Sequence, residues 1–282
     1  MKQIITVVIS LICIALCVFL VSLMDISEAF ANVGNISVSA CALYESAVPD
    51  EAFEASENIA EDPSVGVLYL PYDYSLPVPE SEAVDNSYFD RCVFIGDSRM
   101  LGLVKYNDIE PINYCSVGFS VGAYDNDDAS FVRIGDKNYT VKDALRENDD
   151  YDAVYIATGL NELGWTLGKF TEKYEYMIGD IKETAGDRPI YIQLIMPVTN
   201  GFESSKIMNP YSLRNSDVVR FNESLKAMAQ ECEVYYLDCS ELFTLDDGSL
   251  DPRKSSDGAH LTLAAYGDQL EYYKTHVVKP RE

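Results

Sequence analysis

The sequence predicts an α/β domain built on a parallel sheet with helices on both faces. Short apolar runs closed by glycine recur from residue 92 onward, amphipathic stretches separate them, and polar residues follow where the runs end. Residues 93–95 form the first strand, stopped at Gly96 and followed by Asp97 and Ser98. Residues 112–117 form the second, ending at Gly118. Residues 131–134 and 138–141, joined by Gly135-Asp136-Lys137, read as a small inserted hairpin. A short helix over 142–148 leads to a buried strand at 153–158, which ends at Gly159. Residues 169–185 carry Phe170, Tyr174, Met177, Ile178 and Ile181 on one helical face. A strand at 190–195 is stopped by Pro197, a helix covers 218–229, and a last strand covers 234–237. The closing helix runs over 262–274, with Thr262 as its N-cap.

Three segments divide the 282 residues: 1–24, 25–87 and 88–282. Residues 4–24 are almost unbroken apolar sequence, and roughly 20 such residues match a bilayer core. Lys2 precedes the run and Asp25 and Glu28 follow it, which places the remainder outside the cytoplasm. The run serves as a single membrane anchor, or as a signal peptide cut after Ala29-Phe30-Ala31; its length favours the anchor. Residues 25–87 are acidic and proline-bearing and read as a tether, with 65–72 apolar enough to dock. No Lys, Arg or His lies between Lys2 and Arg91, and the whole chain carries a formal charge of −25. Nucleic-acid binding needs clustered cations and is excluded on that ground.

Seven cysteines are present, two of them in the apolar run. An odd number outside it does not suit a disulfide framework. Cys92 and Cys115 lie on neighbouring predicted strands, where they pair or remain buried thiols. Cys232 and Cys239 are separated by roughly 23 Å of extended chain and cannot bridge.

In a parallel sheet the carboxyl ends of the strands hold functional groups. Three such ends carry Gly96-Asp97-Ser98, Val117-Gly118 and Gly159-Leu160-Asn161-Glu162. A fourth block, Asp257-Gly258-Ala259-His260, lies just before the closing helix. The chain has only two histidines, His260 and His276, so a base for Ser98 comes from one of these. His260 stands three positions after Asp257, and in a turn the Asp257 carboxylate reaches Nδ1–H and leaves Nε2 to take the Ser98 proton. The N–H of Ser98, the N–H of Gly118 and the Asn161 amide are candidate donors to an oxyanion. Asp97 reads as structural. Gly118-Phe119-Ser120-Val121-Gly122 offers a rival nucleophile in Ser120, although it leads into an acidic loop rather than a helix. Trp165 and Tyr211 are read as packing residues before stacking platforms. Two histidines leave few nitrogen ligands for a metal.

Together these four blocks resemble the SGNH (GDSL-type) hydrolases over about residues 89–278. The resemblance implies a three-layer α/β/α fold with a flavodoxin-like parallel sheet of about five strands. It implies ester hydrolysis or acyl transfer through an acyl-serine, without metal or cofactor. Ser98 would be nucleophile and first oxyanion donor, Gly118 and Asn161 the other donors, His260 the base and Asp257 its orienter. Two features depart from or modify the pattern: Glu162 stands where the family usually has Asp, and Arg99 sets a charge beside the site that would favour an anionic or sugar-like substrate. The 131–141 hairpin could wall the cleft. The expected substrate is an O-acyl, foremost O-acetyl, ester on carbohydrate or another small ester, outside the membrane. O-acyl transfer with a separate membrane acyltransferase partner, and a non-catalytic binding module, are the alternatives.

Overall fold

The computed structural model describes residues 72–278. The apolar run, most of the tether and Cys41 therefore lie outside the described residues. Among the described residues no helix is long and apolar enough to cross a membrane.

In chain order the elements are β1 (Cys92–Gly96), α1 (Ser98–Tyr106), β2 (Ile112–Cys115), the hairpin β3 (Val132–Ile134) and β4 (Lys137–Tyr139), then α2 (Val141–Glu147) and β5 (Ala153–Ala157). Next come α3 (Leu167–Ala185), β6 (Ile190–Gln193), α4 (Asn200–Ser204), α5 (Asn215–Cys232), β7 (Tyr235–Leu237) and α6 (Leu263–Lys274). Five strands form one parallel sheet in the order β2-β1-β5-β6-β7, and β3 pairs with β4 apart from it. The three-layer flavodoxin-like arrangement follows.

The strands alternate their side chains between two covered faces, which is why they are apolar throughout. Val93, Ile95, Val154 and Ile156 meet α2, α3 and α5 through Leu145, Phe170, Ile178 and Phe221. Phe94 and Tyr155 face the other way, toward Met100 and Leu103 of α1 and Tyr266 and Leu270 of α6. On that second face a tyrosine ladder crosses three strands. Tyr155 stacks on Tyr191 at 4.5 Å and Tyr191 on Tyr235 at 5.4 Å.

Two differences from the sequence reading concern this frame, and one open alternative is resolved. Residues 98–106, which carry no predicted element, form α1. Its Gly102 lets Tyr266 close in, since a Cβ there would sit 2.3 Å from the ring. Residues 72–87, read as the end of the tether, pack on the domain. Val78 N–H donates to Tyr236 O at 3.0 Å, Val84 N–H donates to Lys274 O at 3.0 Å, and the Tyr72 ring sits 4.8 Å from Tyr235. Proline and acidic residues dominate that composition, but one apolar side chain every few residues docks it. Cys92 and Cys115 are free buried thiols bonded to the carbonyls of Tyr88 and Phe94, not to each other. Burial pushes the Cys92 thiol up to about 12.

Candidate active site

The site begins where β1 runs into α1 without slack. A Cβ on Gly96 would lie 2.6 Å from Ala157 O on the next strand and 2.5 Å from Met100 Cβ, so only glycine passes. Asp97 then caps α1, its carboxylate accepting the Arg99 N–H at 2.8 Å. Ser98 is the first helical residue, and the positive end of the α1 dipole favours negative charge there. The carboxyl ends of β2, β1 and β5 are neighbours, so Gly118, Ser98 and Asn161 follow three adjacent strands.

His260 reaches this point from the loop before α6. Its Nε2 lies 2.8 Å from Ser98 Oγ, and its Nδ1 lies 2.7 Å from Asp257 Oδ2. With the ring proton on Nδ1, donated to the carboxylate, Nε2 accepts the Ser98 hydroxyl. The other Asp257 oxygen accepts the N–H groups of Ala259 at 2.9 Å and His260 at 2.8 Å. Partial burial alone would raise this carboxyl, but the two backbone N–H groups and the imidazole hold it below its ordinary value. Gly258 has φ +94°, and a Cβ would strike Thr199 Oγ1 at 2.9 Å, so the loop needs glycine to dock against residue 199. His276 is committed elsewhere, stacked 3.7 Å from Tyr272.

Arg99 is not a charge facing the cleft. It is buried, donating from Nε to Ala259 O at 2.8 Å, from Nη2 to Pro197 O at 2.9 Å and from Nη1 to Met196 O. The guanidinium fork thus ties the serine helix to the histidine loop and to the exit of β6. The expectation that Arg99 favours an anionic or sugar-like substrate is corrected: the side chain is buried, and each of its three nitrogens donates to a main-chain carbonyl.

On the opposite side, Gly118 adopts φ +76°, and nothing lies within 4 Å of the place a Cβ would take, so the loop leaving β2 is open there. Asn161 donates from Nδ2 to Phe119 O at 2.8 Å, which anchors its amide beside the Gly118 loop while the same nitrogen keeps a second N–H. Glu162 adds a second tie. Its Oε1 accepts the Val121 N–H at 2.7 Å and the Thr158 hydroxyl at 3.1 Å. Its Oε2 is buried and has no partner among the described residues, and burial pushes the carboxyl up to about 7. The sequence marked Glu162 only as a departure; a carboxylate placed directly before Leu163 and two residues after Leu160 was the available signal.

The other candidates separate cleanly. Ser120 precedes a single turn, Val121–Ala123, and neither histidine approaches it: one is on Ser98 and the other on Tyr272. Trp165 packs over Gly122, whose Cβ would meet the indole at 3.0 Å, and Lys169 Nζ lies 4.0 Å from the ring centre. Tyr211 is exposed on the surface. The hairpin lines a different cavity, of about 490 Å³, with β2 and the end of α2. The cleft of about 450 Å³ at Ser98 is instead bounded by α1, Val117 and the start of α6, so the hairpin does not wall it.

A serine, an imidazole and a carboxylate bonded in series at the carboxyl edge of a parallel sheet is the arrangement of an α/β serine hydrolase. The chain belongs to the GDSL-like lipase/acylhydrolase family, whose sequence model matches residues 117–267, more than half of its length. That span holds Gly118, Asn161, Asp257 and His260 and begins after Ser98, which joins them through the 2.8 Å contact with His260. Membership points to an ester hydrolase. Among solved structures, the chain is similar to a protein described as a platelet activating factor from Streptococcus pneumonia. The identity is 20%, the TM-score 0.52, and the match covers 65% of this chain and 82% of that one. It is also similar to a GDSL-like lipase from Bacteroides thetaiotaomicron, at 14% identity and TM-score 0.48, over 66% and 85% of the two chains. An acylhydrolase from Bacteroides fragilis matches at 17% identity and TM-score 0.48, over 71% and 92%. At these identities the likeness concerns the fold. No curated protein matched the sequence.

Proposed function

We propose that this chain is an extracytoplasmic serine esterase that removes O-acyl groups, acetyl foremost, from carbohydrate. The observation that carries the reading is the unbroken series from Asp257 through His260 to Ser98, at 2.7 and 2.8 Å. In the first step Ser98 Oγ attacks the ester carbonyl and His260 Nε2 takes its proton, the imidazolium being held by Asp257. The carbonyl oxygen, now negative, is met by the N–H of Ser98, the N–H of Gly118 and the Asn161 amide; one such donor contributes about 3–4 kcal/mol of transition-state stabilisation. The C–O bond to the alcohol then breaks, His260 returns the proton to the leaving oxygen, and the acyl group stays on Ser98. Water repeats the sequence and frees the acid. Placement outside the membrane rests on the apolar run at 4–24 and the charges that flank it. The carbohydrate assignment rests on that placement, since surface glycans are the abundant acylated polymers there.

A fluorophosphonate probe tests the site without a guess at the substrate. Intact mass of the full chain should show one adduct, lost in Ser98→Ala and His260→Ala and kept in Ser120→Ala. Acetate release from an acetylated glycan by the wild type alone would extend the reading to the substrate, and an acceptor glycan in the same assay separates hydrolysis from transfer. A folded wild type that takes no adduct would overturn the esterase in favour of a binding module.

A further inference from the structure

Lining the Ser98 cleft are two formal charges among the described residues, Asp257 and Lys105. Asp257 is spent on His260 and on two backbone N–H groups. Lys105 is exposed, has no acidic group within ion-pair distance among the described residues, and lies 5.7 Å from the centre of the Tyr106 ring. It is the one charge in the cleft that is free to meet a substrate.

Its position follows from the helix that carries the nucleophile. Ser98, Leu101, Gly102 and Lys105 stand at i, i+3, i+4 and i+7 of α1 and so form one stripe. Seven residues at the helical rise separate the two ends of that stripe by about 10 Å. The floor between them is Leu101 and the Cα of Gly102, pressed on the Tyr266 ring. The rims are apolar: Val117 is 78% exposed and Leu263 65% exposed. The cleft therefore runs from a nucleophile, across an apolar middle, to a lone ammonium. An ammonium offers donors and no acceptor, so its complement is a carboxylate, sulfate or phosphate oxygen. Elsewhere the chain's 46 acidic against 21 basic residues repel such a group, which makes a single cation inside the cleft a selective feature.

Building on the esterase reading, we infer that the Ser98 cleft takes esters bearing an anionic group at the end of the cleft away from the scissile carbonyl, with Lys105 as its receptor. The acylated acidic glycans form one such class. Lys105, rather than Arg99, is the charge that discriminates among substrates.

The test compares charged and neutral esters on the full chain. One arm uses 4-nitrophenyl half-esters of dicarboxylic acids of increasing length beside neutral 4-nitrophenyl alkanoates of equal length. The other uses acetyl esters of carboxylated or phosphorylated phenols beside uncharged ones, which ranks the two anions. The wild type should prefer the charged member in one arm by roughly 3- to 10-fold in kcat/KM, mainly through KM, as expected for a partly exposed charge pair. Added salt should shrink the preference. Lys105→Met should bring the ratio to about one and Lys105→Glu should invert it, while Lys137→Met, on the hairpin, should retain it. An equal charged-to-neutral ratio in the wild type and all three variants, in both arms, would overturn the inference with the esterase intact. A folded wild type inert toward every ester, charged and neutral alike, would bring down the esterase reading and this inference together.

Discussion

Two aspartates stand in nearly the same local setting and do different work. Asp97 and Asp257 each accept, at one oxygen, the N–H of the residue two positions on, at 2.8 and 2.9 Å. The difference lies in the surroundings. Asp97 is buried, and burial raises its carboxyl against the pull of the Arg99 charge. Asp257 is half exposed, and its second oxygen holds His260 at 2.7 Å. A turn motif alone therefore does not separate a carboxylate that braces the backbone from one that orients a base; the partner of the second oxygen does.

The largest expected effect breaks this pair apart. Asp257→Asn should lower kcat by roughly 10⁴-fold, because an amide holds the imidazole in the wrong tautomer, and should move the denaturation midpoint little. Asp97→Asn should do the reverse, lowering the midpoint while most of kcat survives in the folded enzyme. Equal losses of kcat in the two variants would erase the distinction. Next in size is Asn161→Ala, for which steady-state kinetics should show a kcat lower by about 10²–10³ with KM nearly unchanged, the mark of a donor that acts in the transition state.

Arg99→Met sharpens the bracing side of the comparison. It leaves three buried carbonyls without their donors and should cost on the order of 3 kcal/mol in urea unfolding. Glu162 gives an effect of similar size that depends on pH. Its carboxyl titrates near 4.5 when unfolded and near 7 in the fold. Over that interval the folded state keeps a proton that the unfolded chain has lost. Stability is full below about pH 4.5, declines by on the order of 3 kcal/mol toward pH 7 and then levels. Unfolding curves at several pH values should show this decline in the wild type and a flatter profile in Glu162→Gln.

The sheet and its longer covering helices were readable because each depends on local pattern: buried strands are continuous apolar runs, and their ends carry glycine; α1 and α4 were not read. Arg99 was misjudged because its partners, the carbonyls of residues 196, 197 and 259, are distant in sequence and carry no side-chain signature. The packing of residues 72–87 was hidden for a related reason. Val78 docks alone, and Tyr72 and Tyr74 meet each other and Tyr235, too short a pattern to reveal a common face. The hairpin was recognised as a hairpin, but which cavity it borders is a matter of tertiary placement.

The packing of Trp165 on Gly122 has an optical consequence. This indole is the chain's single tryptophan, and it rests on the loop joined to the Asn161 turn. Its emission under selective excitation reports on that corner of the molecule, without contributions from elsewhere. The twenty tyrosines, several of them in the ladder across β5, β6 and β7, report on the sheet as a whole. One unmodified protein thus carries two spectrally distinct gauges, so loosening beside the cleft can be timed separately from loss of the scaffold.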